Sequence, residues 1–173
     1  MGSWGVRAHE SDTGLDLLAV AVDKHLRGVR FKTFHVKHVM EIMKAHIIDK
    51  FAKESYDWEA QYIDSFYEYT FPYKFAHAVM LVAECFAEYR QKGKYAVHDF
   101  TTEKARKRQV KEFTFTQKDL ETLLTELCSL LEPQHELYQV WSDSESLEKW
   151  KAHIQALRDT LSQAISEGGD GDA

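Results

Sequence analysis

Nine histidines are the residues of this chain best equipped for chemistry, because imidazole can serve as general base, proton shuttle or metal ligand near neutral pH. Three of them fall close together as His35, His38 and His46. His35 and His38 are three residues apart and Glu41 continues their face, so on a helix these three groups can approach one metal ion, with a further ligand supplied from elsewhere. The plainer expectation is a set of solvated or core-edge histidines. The spacing matches no His-Glu-x-x-His arrangement, and the apolar stripe of the same segment lies mainly on another face. The Glu-x-x-His pattern of di-iron bundles occurs only as Glu132-Pro-Gln-His135, which its proline breaks. His77 and Glu84 share a face with Leu81 and Glu88, and one imidazole with one carboxyl reads as a structural or surface pair. No metal and no cofactor are expected.

Other chemistries lack their anchors. The chain contains no Gly-x-Ser-x-Gly, no Walker A and no Gly-x-Gly-x-x-Gly segment, so hydrolase, NTPase and dehydrogenase readings lose their usual supports. Cys85 and Cys128 sit inside apolar, helix-periodic runs where a thiol behaves as a small hydrophobe, which argues against a disulfide framework and for a reducing, cytoplasmic setting. An enzyme is the less favoured reading.

Two charged stretches point to partners instead. Residues 54–68 hold five carboxylates and no lysine or arginine. On a helix Asp57, Gln61, Asp64 and Glu68 fall on one stripe, with Trp58 alongside, while Tyr62, Phe66, Tyr69 and Tyr73 form another. Aromatic anchors beside carboxylates suit a basic protein partner, since Tyr and Trp dominate binding hot spots and carboxylates steer encounter. A core-facing aromatic stripe with a solvated acidic back would look the same. The opposite charge collects in Glu103-Lys-Ala-Arg-Lys-Arg-Gln-Val-Lys111, where Lys104, Arg106, Lys107, Arg108 and Lys111 could touch nucleic-acid phosphates. A formal net charge of −6 and a pI near 5.8 favour a solvated hairpin loop.

The elements that must position these groups are mostly helices. Two prolines among 173 residues leave the interior largely free of breakers. The spacing predicts a mainly α, six-helix globular domain over residues 1–166, followed by a disordered acidic tail over 167–173. The first helix follows the N-cap pair Ser11-Asp12 on a stripe of Leu15, Leu18, Ala19, Val22 and Leu26, and stops at Gly28. The second carries Val36, Val39, Met40, Met43, Ile47 and Phe51. The third starts near Asp57. The fourth begins around Pro72, shows Phe75, Ala78, Val79, Val82, Phe86 and Tyr89, and ends at Gly93. The fifth opens on the capping box Thr116–Asp119 and the sixth on Ser142–Glu145. A short helical turn is placed between them, at 134–141. Residues 95–115 read as a small β-hairpin, with Tyr95–Phe100 and Val110–Phe115 as strands joined by the basic loop. Val29–Phe34 could add a third strand. No run of apolar residues is long enough to span a bilayer. No signal-peptide pattern opens the chain, and Val6 stands where a myristoylation signal wants Ser or Thr, so neither secretion nor lipid anchoring is expected.

The opening Met1-Gly-Ser-Trp-Gly5, with Glu10-Ser-Asp12 and Gly14-Leu-Asp16, resembles a family of small bacterial proteins known as domain of unknown function 4259. Glu136-Leu-Tyr-Gln-Val-Trp141 and the helix led by Trp150 are similar to that family's ending. The resemblance implies a bacterial cytoplasmic protein and transfers no catalytic residue. Trp4 between glycines reads as a structural anchor, expected to be buried against the final helix near Trp150 or Leu157. The leading expectation is a non-enzymatic protein-binding or regulatory domain of the immunity or antitoxin sort. A metal-dependent enzyme using His35, His38 and Glu41 and a structural, self-associating protein are the alternatives.

Overall fold

The computed structural model describes residues 5–54, 60–99 and 106–168, and it is mainly α-helical. Helix α1 (Asp12–Ala21) is preceded by a 3-10 turn at Ala8–Glu10 and runs on into a π-turn at Val22–Leu26. Helix α2 spans Val36–Glu54. Helix α3 (Ala60–Ser65) passes through a second π-turn, Phe66–Thr70, straight into α4 (Phe71–Lys92). The predicted third and fourth helices are therefore one continuous rod over the described residues. Helices α5 (Gln117–Ser129), α6 (Glu136–Ser142) and α7 (Leu147–Gly168) complete the chain. The expected short turn before the last helix is thus a helix of its own.

Local signals account for several boundaries. Ser11 Oγ accepts the Gly14 N–H and donates to the Ala8 carbonyl, which caps α1 and ties it to the preceding turn. Gly14 is required by that contact, since a Cβ there would lie 1.9 Å from the Ala8 carbonyl oxygen. Thr116 and Asp119 exchange the two hydrogen bonds of a capping box at the start of α5. Gly93 ends α4 in the left-handed region, with φ +66°. The capping box expected at Ser142 does not form. Those residues close α6 instead, and α7 starts at Leu147. At its other end α7 continues to Gly168, and Glu167, placed by sequence in the tail, pairs with Arg90.

Helix α4 lies at the centre, touching α1, α2, α5, α6 and α7. Every residue from Ala76 to Phe86 is buried, so this helix has no solvated face along that stretch. The buried stripe of the first helix also differs from expectation. Leu17, Leu18, Ala21, Val22 and Leu26 face the core, while Leu15 and Ala19 point outward.

The strands pair differently from the expected hairpin. Strand β2 (Tyr95–Asp99) runs antiparallel to β3 (Arg106–Val110), which is built from the basic run itself and not from Val110–Phe115. The segment expected as its second strand contributes β4 (Glu112–Thr114), which pairs in parallel with β1 (Thr33–His35). Aromatic packing explains the choice. Phe113 stacks on Phe34 at 4.5 Å between ring centroids and on Tyr89 of α4 at the same distance, so the parallel pair is held against the central helix by three rings. Among the described residues, no helix is long and apolar enough to cross a membrane.

Candidate functional site

An ionisable group inside an otherwise apolar helix needs partners, because an uncompensated buried charge is costly. Glu84 of α4 is 4% exposed and finds them at both ends of the chain. Its Oε1 accepts the Ala8 N–H at 2.8 Å and lies 2.8 Å from His153 Nε2, on α7. Its Oε2 lies 3.2 Å from His9 Nδ1. Burial alone would raise the Glu84 pKa. The hydrogen bonds from His153, His9 and the Ala8 amide outweigh burial and hold the carboxyl down at about 2. An ionised carboxylate can only accept, so both facing imidazole nitrogens carry protons, and the outward nitrogens are His9 Nε2 and His153 Nδ1.

Glu84 forms part of the wall between two openings. A cleft of 770 Å³ bounded by α4, α7 and the N-terminal turn is lined by His153 and Arg7, and a second of 340 Å³ toward β2 by His9 and Arg7. A carboxylate-held imidazole is the usual way to orient a general base, yet the neighbouring nucleophile candidates are occupied. Cys85 is buried beside Tyr95, and burial pushes its thiol pKa well up, so it stays protonated and inert. The Thr160 hydroxyl in the larger cleft donates to the Ala156 carbonyl. His77, the residue paired with Glu84 by sequence, turns away from it. Its Nδ1 bonds the Tyr73 carbonyl at 2.9 Å and burial lowers its pKa. The sequence signal for this cluster is the nearly unbroken apolar run from Ala76 to Phe86, which leaves no wet face for a glutamate.

The predicted histidine group is also rearranged. His35 and His38 gather edge-on around buried His25, with centroid distances of 5.2 and 5.0 Å. Burial, then His38 and His35, lower the His25 pKa against a hydrogen bond that the imidazole donates to the Thr33 backbone. Glu41 stands apart from them, 4.0 Å from Lys37, at a groove between α2 and α5. Among the described residues, no group of three or more His, Cys, Asp or Glu side chains is arranged to hold a metal ion.

The acidic, aromatic stretch is described from Ala60 onward. Asp57 and Trp58 lie outside the described residues, and Gln61 falls within α3. Asp64 and Glu68 are exposed, together with Ile63 at 44%, Tyr67 at 53% and Tyr69 at 49%. The expected single stripe of Tyr62, Phe66, Tyr69 and Tyr73 is divided, with Phe66 in the core and Tyr69 in solvent. The π-turn causes this. It inserts an extra residue per turn, so the Phe71 N–H bonds the Phe66 carbonyl and Phe66, Phe71 and Phe75 share the inner side. Tyr69 Oη donates to Glu68 at 2.8 Å.

Of the basic candidates, Lys104 lies outside the described residues and Arg106 and Lys107 fall on β3. Arg108, also on β3, rests its guanidinium over the Phe31 ring at 5.6 Å. Lys111 is exposed between strands. Trp4 is likewise outside the described residues. Trp150 is fully buried, stacked on Trp141 at 6.0 Å and edge-on to Tyr138, so its described aromatic partners belong to α6.

The molecule is thus a mainly α-helical domain whose N-terminal turn is fastened to its central and final helices by one buried carboxylate. The profile of the family described as Domain of unknown function (DUF4259) matches residues 2–153, and the chain belongs to that family. No curated protein and no solved structure matches it.

Proposed function

We propose that the chain is a non-enzymatic protein-binding domain that uses the exposed face formed by Ile63, Asp64, Tyr67, Glu68 and Tyr69. The carrying observation is the exposure of three large side chains beside two carboxylates within seven residues. Large aromatic groups in water cost stability unless a partner covers them, and tyrosine loses little side-chain entropy when it is covered. No lysine or arginine lies between Ile63 and Tyr73, so the segment supplies no cation of its own to its two carboxylates and fits a basic partner. Neutralising a basic effector, as an immunity or antitoxin protein does, is the biological role that suits this surface.

The test is reconstitution. A partner recovered with the chain from its own cells is purified, and the affinity of the pair is measured at low and high salt. Asp64→Lys with Glu68→Lys, extended to Asp57→Lys, should weaken binding by about a hundredfold or more and remove its salt dependence, while the thermal melt is unchanged. A partner that is acidic, or that binds the triple variant equally well, overturns the assignment. Recovery of a second copy of this chain in its place would favour self-association.

A further inference from the structure

The larger cleft beside Glu84 gathers basic and acidic side chains in nearly equal number. Arg7, Arg90, Lys92 and His153 line it against Glu84 and Glu88. Both of these carboxylates already have partners within the protein. Glu88 pairs with Lys92 at 3.2 Å, and Glu84 is enclosed by the Ala8 amide and two imidazoles. Arg90 pairs with Glu167.

Arg7 is different. It is exposed, it borders both openings, and among the described residues its guanidinium forms no ion pair. The turn that carries it is fixed in place, since the next two residues are the ones bonded to Glu84. The Arg7 amide is also tied down, donating to the Glu10 carboxylate at 3.0 Å. A guanidinium carried on a fixed backbone at the mouth of a cleft can offer its planar fork to an oxyanion in bidentate fashion. His153 stands on the facing wall with Nε2 donating to Glu84, and in its imidazolium form the outward Nδ1 carries a second proton that an oxyanion can accept. A volume of 770 Å³ exceeds the needs of a bare ion and lies within the ~300–1,000 Å³ typical of small-molecule sites.

From this geometry we infer a binding site for a small metabolite bearing an oxyanion, its phosphate or carboxylate group held by the Arg7 guanidinium beside His153. The site lies on α4, α7 and the N-terminal turn, so it is independent of the face proposed on α3 and the π-turn that follows it.

The experiment titrates the full chain with three probes, inorganic phosphate, adenosine monophosphate and citrate, by calorimetry and by amide and imidazole NMR. Saturable shifts confined to Arg7–His9, His153 and the adjoining turns of α4 are expected. Preference among the probes separates a free phosphate, a phosphorylated metabolite and a polycarboxylate. Arg7→Gln should weaken the best probe at least about tenfold, and Arg7→Lys should fall between that variant and the parent because it keeps charge without the fork. Lys44→Gln, the same change in net charge on the remote surface of α2, should leave affinity unaltered. Absence of saturable binding by all three probes, or equal weakening by Arg7→Gln and Lys44→Gln, overturns the proposal. All three substitutions are at exposed side chains, and each variant is compared at matched far-UV helicity.

Discussion

Glu84 and Glu68 are the same side chain in opposite circumstances, and the contrast organises the molecule. Glu84 is buried, each of its oxygens faces a donor, and its partners come from segments 69 to 76 residues away. Glu68 is exposed, and among the described residues its hydrogen-bond partner is the tyrosine next to it in sequence. A carboxylate enclosed by protein donors works on the fold, because its charge is spent on fixed neighbours. One left in water keeps its charge available to another molecule. The aromatic rings follow the same division. Phe66 stacks on Phe51 at 3.5 Å in the core, while Tyr67 and Tyr69, in the same π-turn, face solvent.

Truncating the two carboxylates should separate the regions most sharply. Glu84→Ala leaves two imidazoles and an amide without their acceptor, and removing one member of a buried charged cluster costs about 3–5 kcal/mol. Urea denaturation should show that loss, with far-UV helicity near native at low denaturant. A cost under about 1 kcal/mol would mean that the N-terminal turn is not held by Glu84.

Acid should act through the same group. An unfolded glutamate titrates near 4.5 and Glu84 near 2, so the unfolded chain binds the proton first as pH falls. The contribution of Glu84 is complete above pH 4.5 and is lost between 4.5 and about 2, amounting to about 3 kcal/mol. His25 and His77 act in a separate window. Burial lowers both from 6.5, so the unfolded chain takes up these protons first. Their contribution is complete above pH 6.5 and declines below it. Stability measured from pH 7 to pH 3 should therefore fall in two limbs, and Glu84→Gln should flatten the lower one. A lower limb unchanged in that variant would assign the acid transition to other carboxylates.

Gly14→Ala probes the clamp from its backbone side. Its Cβ would meet the Ala8 carbonyl at 1.9 Å, pushing apart the turn that presents Ala8 and His9 to Glu84. Overpacking of this kind costs about 1–3 kcal/mol, and the His9 and His153 imidazole resonances should shift together. An unshifted His153 would show that the two ends of the cluster are not coupled.

The smallest effect is expected on the exposed face. Asp64→Asn, Tyr67→Ser and Glu68→Gln should each change stability by less than about 0.5 kcal/mol, as surface substitutions do. A loss of about 2 kcal/mol or more at Tyr67, on the scale of core truncations, would place that ring in the fold and remove it from the binding face.

Features that depend on a few consecutive residues are legible in the amino-acid order itself. The Ser11 cap, the Thr116–Asp119 box, the left-handed Gly93 and the stripes of α2, α5 and α7 follow from local hydrogen bonding and helical period alone. The acidic, aromatic character of residues 54–68 is equally plain. The exposure of its tyrosines is not, because the π-turn shifts the helical phase by one residue and a fixed period does not register that shift. The strands show the same limit, since β1 chooses β4 over a hairpin partner through contacts with α4. Tertiary structure alone decides the Glu84 cluster. A carboxylate on a helix buried all round must find donors, but which donors depends on how the chain's two ends return to α4. Composition and spacing specify that need, and the packing of segments far apart in sequence supplies His9, Ala8 and His153 to meet it.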